Sequence, residues 1–443
     1  MNYVKRFIND AAVALVIKIT GVVCMMINNM VFARILTQEE FGAYFLFSST
    51  IIFLSIVVKV GQKQAIVRLV SEALIYEKTY KIVSVVVSAV LVISLTSFVL
   101  FILFLLGLDE VIANLFNAEE FVVLSVWLLV WIWLLALETP VSETFRGLHR
   151  IGEATLFDNL LSHVLLTLVL IVIYFQDIDL TLKGAVFITI GCIIVPLLIG
   201  GSILTSRFKD YEYRSVSVTK ELLYISLPLM FVNISNFVLN NSGIWLSSIM
   251  LDQKSIAVYG AAWKFVNIIV FPLTIFNLVI QPTIVRLYED KSIEKLEKIL
   301  RGLSSILSIP AILVSILLLV YNKDLITIVY GDSYIDSSSV LVILTIGQII
   351  NVITGQNIIL LGLCGKQVLL MKITIFSVIF SIVISSVLVN YFMVNGIAMG
   401  VSGGLILCNL MALYSVYKSI GIKTYASYHP DFIKEAYRKI YVT

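Results

Sequence analysis

About a dozen apolar blocks divide this chain, and the basic residues between them fall almost entirely in every second gap. A helix needs ~20 mostly apolar residues to cross ~30 Å of hydrocarbon. Spans are predicted at 10–33, 41–62, 82–107, 121–145, 154–175, 184–205, 222–249, 256–281, 302–321, 338–362, 368–391 and 396–417. Of the 31 Lys and Arg residues, 24 lie in the amino terminus, the even-numbered gaps and the C-terminal tail. Four occupy the odd gaps (Arg34, Lys183, Lys254 and Lys323), and three lie inside spans: Lys18, Lys59 and Lys264. The odd gaps are acidic instead, with Asp109, Glu110, Glu119, Glu120, Asp177 and Asp179. Basic loops stay on the cytoplasmic side, so this asymmetry predicts twelve spans with both termini in the cytoplasm.

Composition excludes most other classes. Mean hydropathy is +1.02 and only 13% of residues are charged, against ~25% in a soluble domain. A formal charge of +3 is too small to imply nucleic acid, and its placement is an orientation signal. Cys24, Cys192, Cys364 and Cys408 all sit in apolar segments without CxxC spacing, which argues against a disulfide framework or a structural metal. Neither a metal nor a cofactor is expected. Lys5-Arg6 leads into an apolar stretch too long for a signal peptide's core, so the first span is read as its own insertion signal.

The longest polar gaps are near 207–221 and 286–301. In the second, Ile293, Leu296 and Leu300 recur at helical spacing, which fits either an interfacial helix or a cytoplasmic extension of the ninth span. Across these gaps the chain repeats itself at an offset near 215. Ile66-Val67-Arg68-Leu69 recurs as Ile284-Val285-Arg286-Leu287, Gly147-Leu148 as Gly362-Leu363, and Asn28-Asn29 as Asn240-Asn241 after a short gap. Six spans per copy is an even number, so both copies keep one orientation. The predicted fold is therefore an all-α integral membrane protein, with twelve transmembrane helices in two parallel-repeat six-helix bundles and a central cleft. The expected divisions are bundle 1–206, linker 207–220, bundle 221–420 and cytoplasmic tail 421–443.

The segment Ala33-Arg34-Ile35-Leu36-Thr37-Gln38-Glu39-Glu40-Phe41-Gly42-Ala43-Tyr44 resembles the first outer loop of polysaccharide flippases, where an aromatic-Gly-x-Tyr unit follows Arg, Leu and an acidic position. Phe145-Arg146-Gly147-Leu148 resembles the inner end of that family's fourth span. These are the O-antigen and capsule repeat-unit flippases of the multidrug/oligosaccharidyl-lipid/polysaccharide exporter superfamily. The resemblance implies movement of an undecaprenyl-diphosphate-linked oligosaccharide across a bacterial cytoplasmic membrane. It implies a lipid-linked substrate, contact with membrane lipids, and polysaccharide polymerase and chain-length machinery as partners. A cation-coupled drug exporter of the same superfamily is one alternative, although such exporters often place a carboxylate in span one or seven, where this chain has Lys18 and none. A membrane polymerase or ligase is another, but the outer loops here are short and acidic.

Each Lys at mid-bilayer costs ~2.5–3.5 kcal/mol on insertion scales, so Lys18, Lys59 and Lys264 are expected to be hydrated or paired. They are the predicted diphosphate-binding cations, on spans one, two and eight, where related lipid II flippases carry functional basic residues. Lys18 and Lys59 lie near the cytoplasmic ends, where snorkelling is the alternative. Asn28, Ser55, Asn233, Asn236, Asn240, Asn267, Gln348 and Asn351 are expected to line the cavity, where amides and hydroxyls suit sugar hydroxyls; taken singly, each also fits as interhelical glue. Glu138, Arg146 and Asp158 are read as either coupling groups or an ion pair, with Glu143 a further partner for Arg146. His163 fits a proton relay or a packed neutral side chain.

Overall fold

The computed structural model describes residues 2–75, 79–208 and 217–427. The tail beyond Ser427 and linker residues 209–216 lie outside the described residues. Seventeen α-helices follow one another: α1 (Asn2–Ile35), α2 (Gln38–Val58), α3 (Gln62–Ile75), α4 (Thr79–Leu105), α5 (Leu108–Phe116), α6 (Glu120–Gly147), α7 (Ile151–Thr155), α8 (Leu161–Phe175), α9 (Leu182–Arg207), α10 (Ser217–Met250), α11 (Gln253–Glu289), α12 (Ile293–Val320), α13 (Asn322–Tyr330), α14 (Ser337–Thr354), α15 (Asn357–Leu363), α16 (Gln367–Phe392) and α17 (Val394–Ile420). No strand occurs among the described residues. Twelve helical segments are long and apolar enough to span a membrane, the number predicted. The segment before the ninth span belongs to α12 itself, so the extension is what forms.

The duplication is written in the helix boundaries. α1 and α10 begin 215 residues apart, as do α2 and α11. α4 and α12 begin 214 apart, and so do the nine-residue helices α5 and α13.

The chain forms two compact units, Met1–Ile234 and Ser235–Thr443, which divide within α10. The first half of α10 belongs with unit 1 because its apolar face is buried there. Val218 and Leu222 join Ala65, Ile66, Leu69 and Val85 in one core cluster, and Lys81 pairs with Glu221 at 3.0 Å.

Lipid tails are as apolar as Leu, so helices in a bilayer associate through close packing and polar contacts rather than the hydrophobic effect. The outward residues follow that logic, with Leu95, Phe98, Leu105 and Leu106 exposed along α4 and its end. Small residues make the contacts. On α17, Gly400 lies so close to α16 that a Cβ would meet Ser385 Oγ at 2.2 Å, and at Gly404 it would meet Ser381 Cβ at 2.6 Å.

Candidate functional site: a charged cluster at two helix breaks

Span two does not run through. α2 stops at Val58, and Val60 and Gly61 take positive φ (50° and 70°) before α3 restarts at Gln62. Gly61 is required here, since a Cβ would lie 2.4 Å from the Ser226 carbonyl and 2.6 Å from Met230 N. The break sets Lys59 at the end of one helix and Lys63 in the first turn of the next. Span five is broken too. Between α7 and α8 lies a π-turn, Leu156–Leu160, in which Asp158 (φ −88°, ψ 69°) and Asn159 (φ 68°) leave helical geometry. Such turns are rare and concentrate at functional sites.

α6 supplies the acids that face both breaks. Glu143, with 1% of its side chain exposed, takes the Arg146 guanidinium at 2.6 Å and the Lys63 ammonium at 3.3 Å. Asp158 receives the same two cations, Arg146 at 3.3 Å and Lys63 at 3.4 Å. Two carboxylates and two cations thus close a ring that joins three elements. Lys63, 46% exposed, is its most accessible member. Nearer the middle of α6, buried Glu138 accepts a hydrogen bond from Ser162 Oγ at 2.9 Å through Oε1. Its Oε2 has no hydrogen-bond partner among the described residues.

Two of the three sequence-predicted lysines join this group. Lys59 interacts electrostatically with Lys63, Glu138, Asp158 and Glu143, and Lys18 with Asp158, Lys63, Arg146 and Glu143. Unit 1 therefore gathers four cations around three carboxylates. With every group charged, one positive charge is in excess. Lys264 is half-buried on α11 and lies in unit 2.

The amides are more varied. Asn28 is buried and crosses to the fifth span, donating to the His163 carbonyl (3.2 Å) and accepting from Thr167 Oγ1 (2.7 Å). Ser55 donates to the Ile52 carbonyl of its own helix. Asn240 donates to the Asn236 carbonyl and Asn267 to the Trp263 carbonyl, again within one helix. Asn233 is half-buried on α10 in unit 1. On α14, Asn351 Nδ2 donates to buried Gln348 at 2.8 Å.

Sequence reasoning missed Lys63 as a site residue, because it counted there only as an orientation charge. The available signal was Lys59-Val60-Gly61-Gln62-Lys63, two cations flanking a glycine at the end of an apolar block. Glu143 was foreseen only as one partner of Arg146; its second contact, to Lys63, depends on the break in span two.

A family model described as polysaccharide biosynthesis protein matches residues 7–288, well over half of the chain. The chain belongs to that family. The matched stretch contains the whole charged cluster. No curated protein matches the sequence. Among solved structures, this polysaccharide biosynthesis protein is similar to an inward-facing multidrug resistance MATE family transporter of the MOP superfamily, with a TM-score of 0.75 and 16% identity over 93% of this chain and 98% of that one. It is also similar to a mutant Vibrio cholerae MATE transporter, with a TM-score of 0.61 and 17% identity over 96% and 98%. A MOP superfamily transporter from Pyrococcus furiosus, described as having a binding pocket of reversed polarity, gives a TM-score of 0.59 and 16% identity over 93% and 94%. At these identities the likeness shows a shared fold alone.

Proposed function

We propose that this family member is a flippase that moves undecaprenyl-diphosphate-linked oligosaccharide repeat units from the inner to the outer leaflet of the cytoplasmic membrane. Transport proceeds by alternating access between the two repeats, with both termini in the cytoplasm. The observation that carries the reading is the cationic excess of the cluster around Glu143 and Asp158, within the stretch matched by the polysaccharide family. A diphosphate brings about two negative charges, whose burial without opposing charge is prohibitive. Lys18 and Lys59 would receive it with Lys63 beside them, and Lys264 is the diphosphate-binding cation that the second repeat would offer. Gln348, Asn351, Asn233, Asn236, Asn240 and Asn267 would meet the sugars. The partners in this reading are membrane lipids and the polymerase and chain-length machinery that use the exported unit.

The test is complementation of surface polysaccharide in a strain lacking the gene, at matched membrane abundance. Lys18→Ala, Lys59→Ala and Lys264→Ala should each lower export by about tenfold or more, the effect of losing ~1.4 kcal/mol of binding. Lys→Arg should restore most of it, and Lys→Glu should be worst. Normal export by all three Ala variants would place the site elsewhere. Restoration of dye or drug efflux, with no effect on polysaccharide, would favour the multidrug reading instead.

A further inference from the structure

Span ten is broken as well, and its break is closed by the chain's own C-terminal segment. α14 ends at Thr354, Gly355 turns away at φ 78° and ψ −154°, and α15 begins at Asn357. The last carbonyls of a helix lack intrahelical partners, and inside a membrane they must be satisfied by protein. Residues after Gly421 do this. Thr424 Oγ1 donates to the Thr354 carbonyl at 2.9 Å, and Ala426 N–H donates to the Ile353 carbonyl at 2.9 Å. Span nine holds the segment from its other side. Ser427 N–H donates to Ser305 Oγ at 2.7 Å, Ser304 Oγ lies 2.9 Å from the Thr424 carbonyl, and the Arg301 guanidinium stands 4.8 Å over the Tyr425 ring.

The break is two residues wide and centres on Gly355. Gly355 occupies a backbone region that side chains avoid, and glycine can also turn helical at small cost. Gln356 (φ −81°, ψ 32°) also lies off helical geometry, so a change at these two adjacent residues would join α14 to α15. The broken state is also under-satisfied: Gln356 Nε2 and Asn357 Oδ1 are buried with no hydrogen-bond partner among the described residues. A Cβ on Gly355 would lie 2.4 Å from the Thr424 carbonyl and 2.2 Å from Ser304 Oγ, so glycine conformation and strap position are coupled sterically.

We propose that residues 421–427 form a releasable strap that holds span ten broken at Gly355, and that its release lets the span close into a continuous helix during transport. The strap rests on the transporter fold and not on the identity of the cargo. Ser305→Cys with Ser427→Cys, in a chain whose Cys24, Cys192, Cys364 and Cys408 are replaced, should crosslink efficiently on mild oxidation of isolated membranes. Locked protein should export at least about tenfold less than its reduced form, with export returning on reduction. Adding Gly355→Ala should sharply lower the crosslinking yield, and so should Ala426→Pro, which removes the N–H that reaches Ile353. The inference is overturned if the parent pair does not crosslink, if locked protein exports normally, or if both variants crosslink as fully as the parent. The yields do not depend on cargo, so a wrong cargo assignment would leave them unchanged.

Discussion

The two repeats solve one problem with different chemistry. Each must stabilise interrupted helices, but the interruptions fall in different places. Unit 1 breaks spans two and five, while α11 and α16, their counterparts, run without interruption. Unit 2 breaks span ten at Gly355, where span four at an offset of 215 carries Pro140 inside a continuous α6. Around the breaks of unit 1 the partners are charged: Lys63, Glu143, Arg146 and Asp158. Around the break of unit 2 they are neutral. Asn357 Nδ2 donates to the Asn409 carbonyl at 3.0 Å, Thr354 Oγ1 lies 3.3 Å from Asn409 Oδ1, and the strap takes the Thr354 and Ile353 carbonyls. At the same offset Glu143 and Arg146 become Ile358 and Leu361. Duplication kept the helix order and let the two copies diverge in how a break is held, by ion pairs in one and by residues 421–427 in the other.

The largest effect should come from removing the acid at the centre of the ionic ring. Stripping one partner from a buried ion pair costs ~3–5 kcal/mol, because the other charge stays buried without it. Glu143→Leu should fall near the lower end, about 3 kcal/mol, since Lys63 is partly solvated and keeps Asp158. Its counterpart Ile358→Leu keeps volume and polarity and should cost less than about 1.5 kcal/mol. Thermal unfolding in detergent, read by size-exclusion fluorescence, compares them. Equal shifts would mean that the ring does not hold unit 1 together.

A smaller effect is expected from the neutral break. Thr424→Val keeps shape but removes the donor to the Thr354 carbonyl, leaving that group without its partner at a loss of about 1–3 kcal/mol. The destabilisation should be local, so exchange of backbone amides in 422–427 should rise while the rest of unit 2 stays protected. Uniformly faster exchange throughout unit 2 would show that the segment is part of the core and not a separable strap.

Much of this architecture can be read from residues. The spans follow from apolar length, and the repeat from Arg68 with Arg286 and Gly147 with Gly362. Lys18, Lys59, Lys264, Glu138 and Asp158 stand out because charge inside a span is costly. The breaks were hidden for a physical reason. Val60 and Asn159 adopt positive φ although each lies within a predicted span. Thr354-Gly355-Gln356 sits in an apolar run that reads as continuous helix. Tertiary contacts set those conformations, and the local pattern marks only the first, through Gly61 between Lys59 and Lys63. The strap was hidden likewise, because Thr424 and Ser427 read as a polar tail until span nine supplies Ser304 and Ser305.

The smallest effect tests a polar residue that bridges two helices. Asn28-Asn29 and Asn240-Asn241 are repeat counterparts, and Asn29 and Asn241 behave alike, each donating to the carbonyl four residues before it. Their neighbours differ: Asn240 bonds within its own helix, whereas Asn28 reaches α8 through the His163 carbonyl and Thr167. A residue whose donor and acceptor are both engaged between helices is poorly placed to bind sugar. Asn28→Ala should therefore lower stability by only about 0.6 kcal/mol, the average for an interhelical polar contact in a membrane. Thr167→Val should cost a similar amount, and the double variant should cost less than the two added together, since they share one bond. Export should stay near the parent level in all three. A large export defect in Asn28→Ala at normal stability would return this residue to the cargo path, and with it the view that the two repeats use equivalent asparagines in the same way.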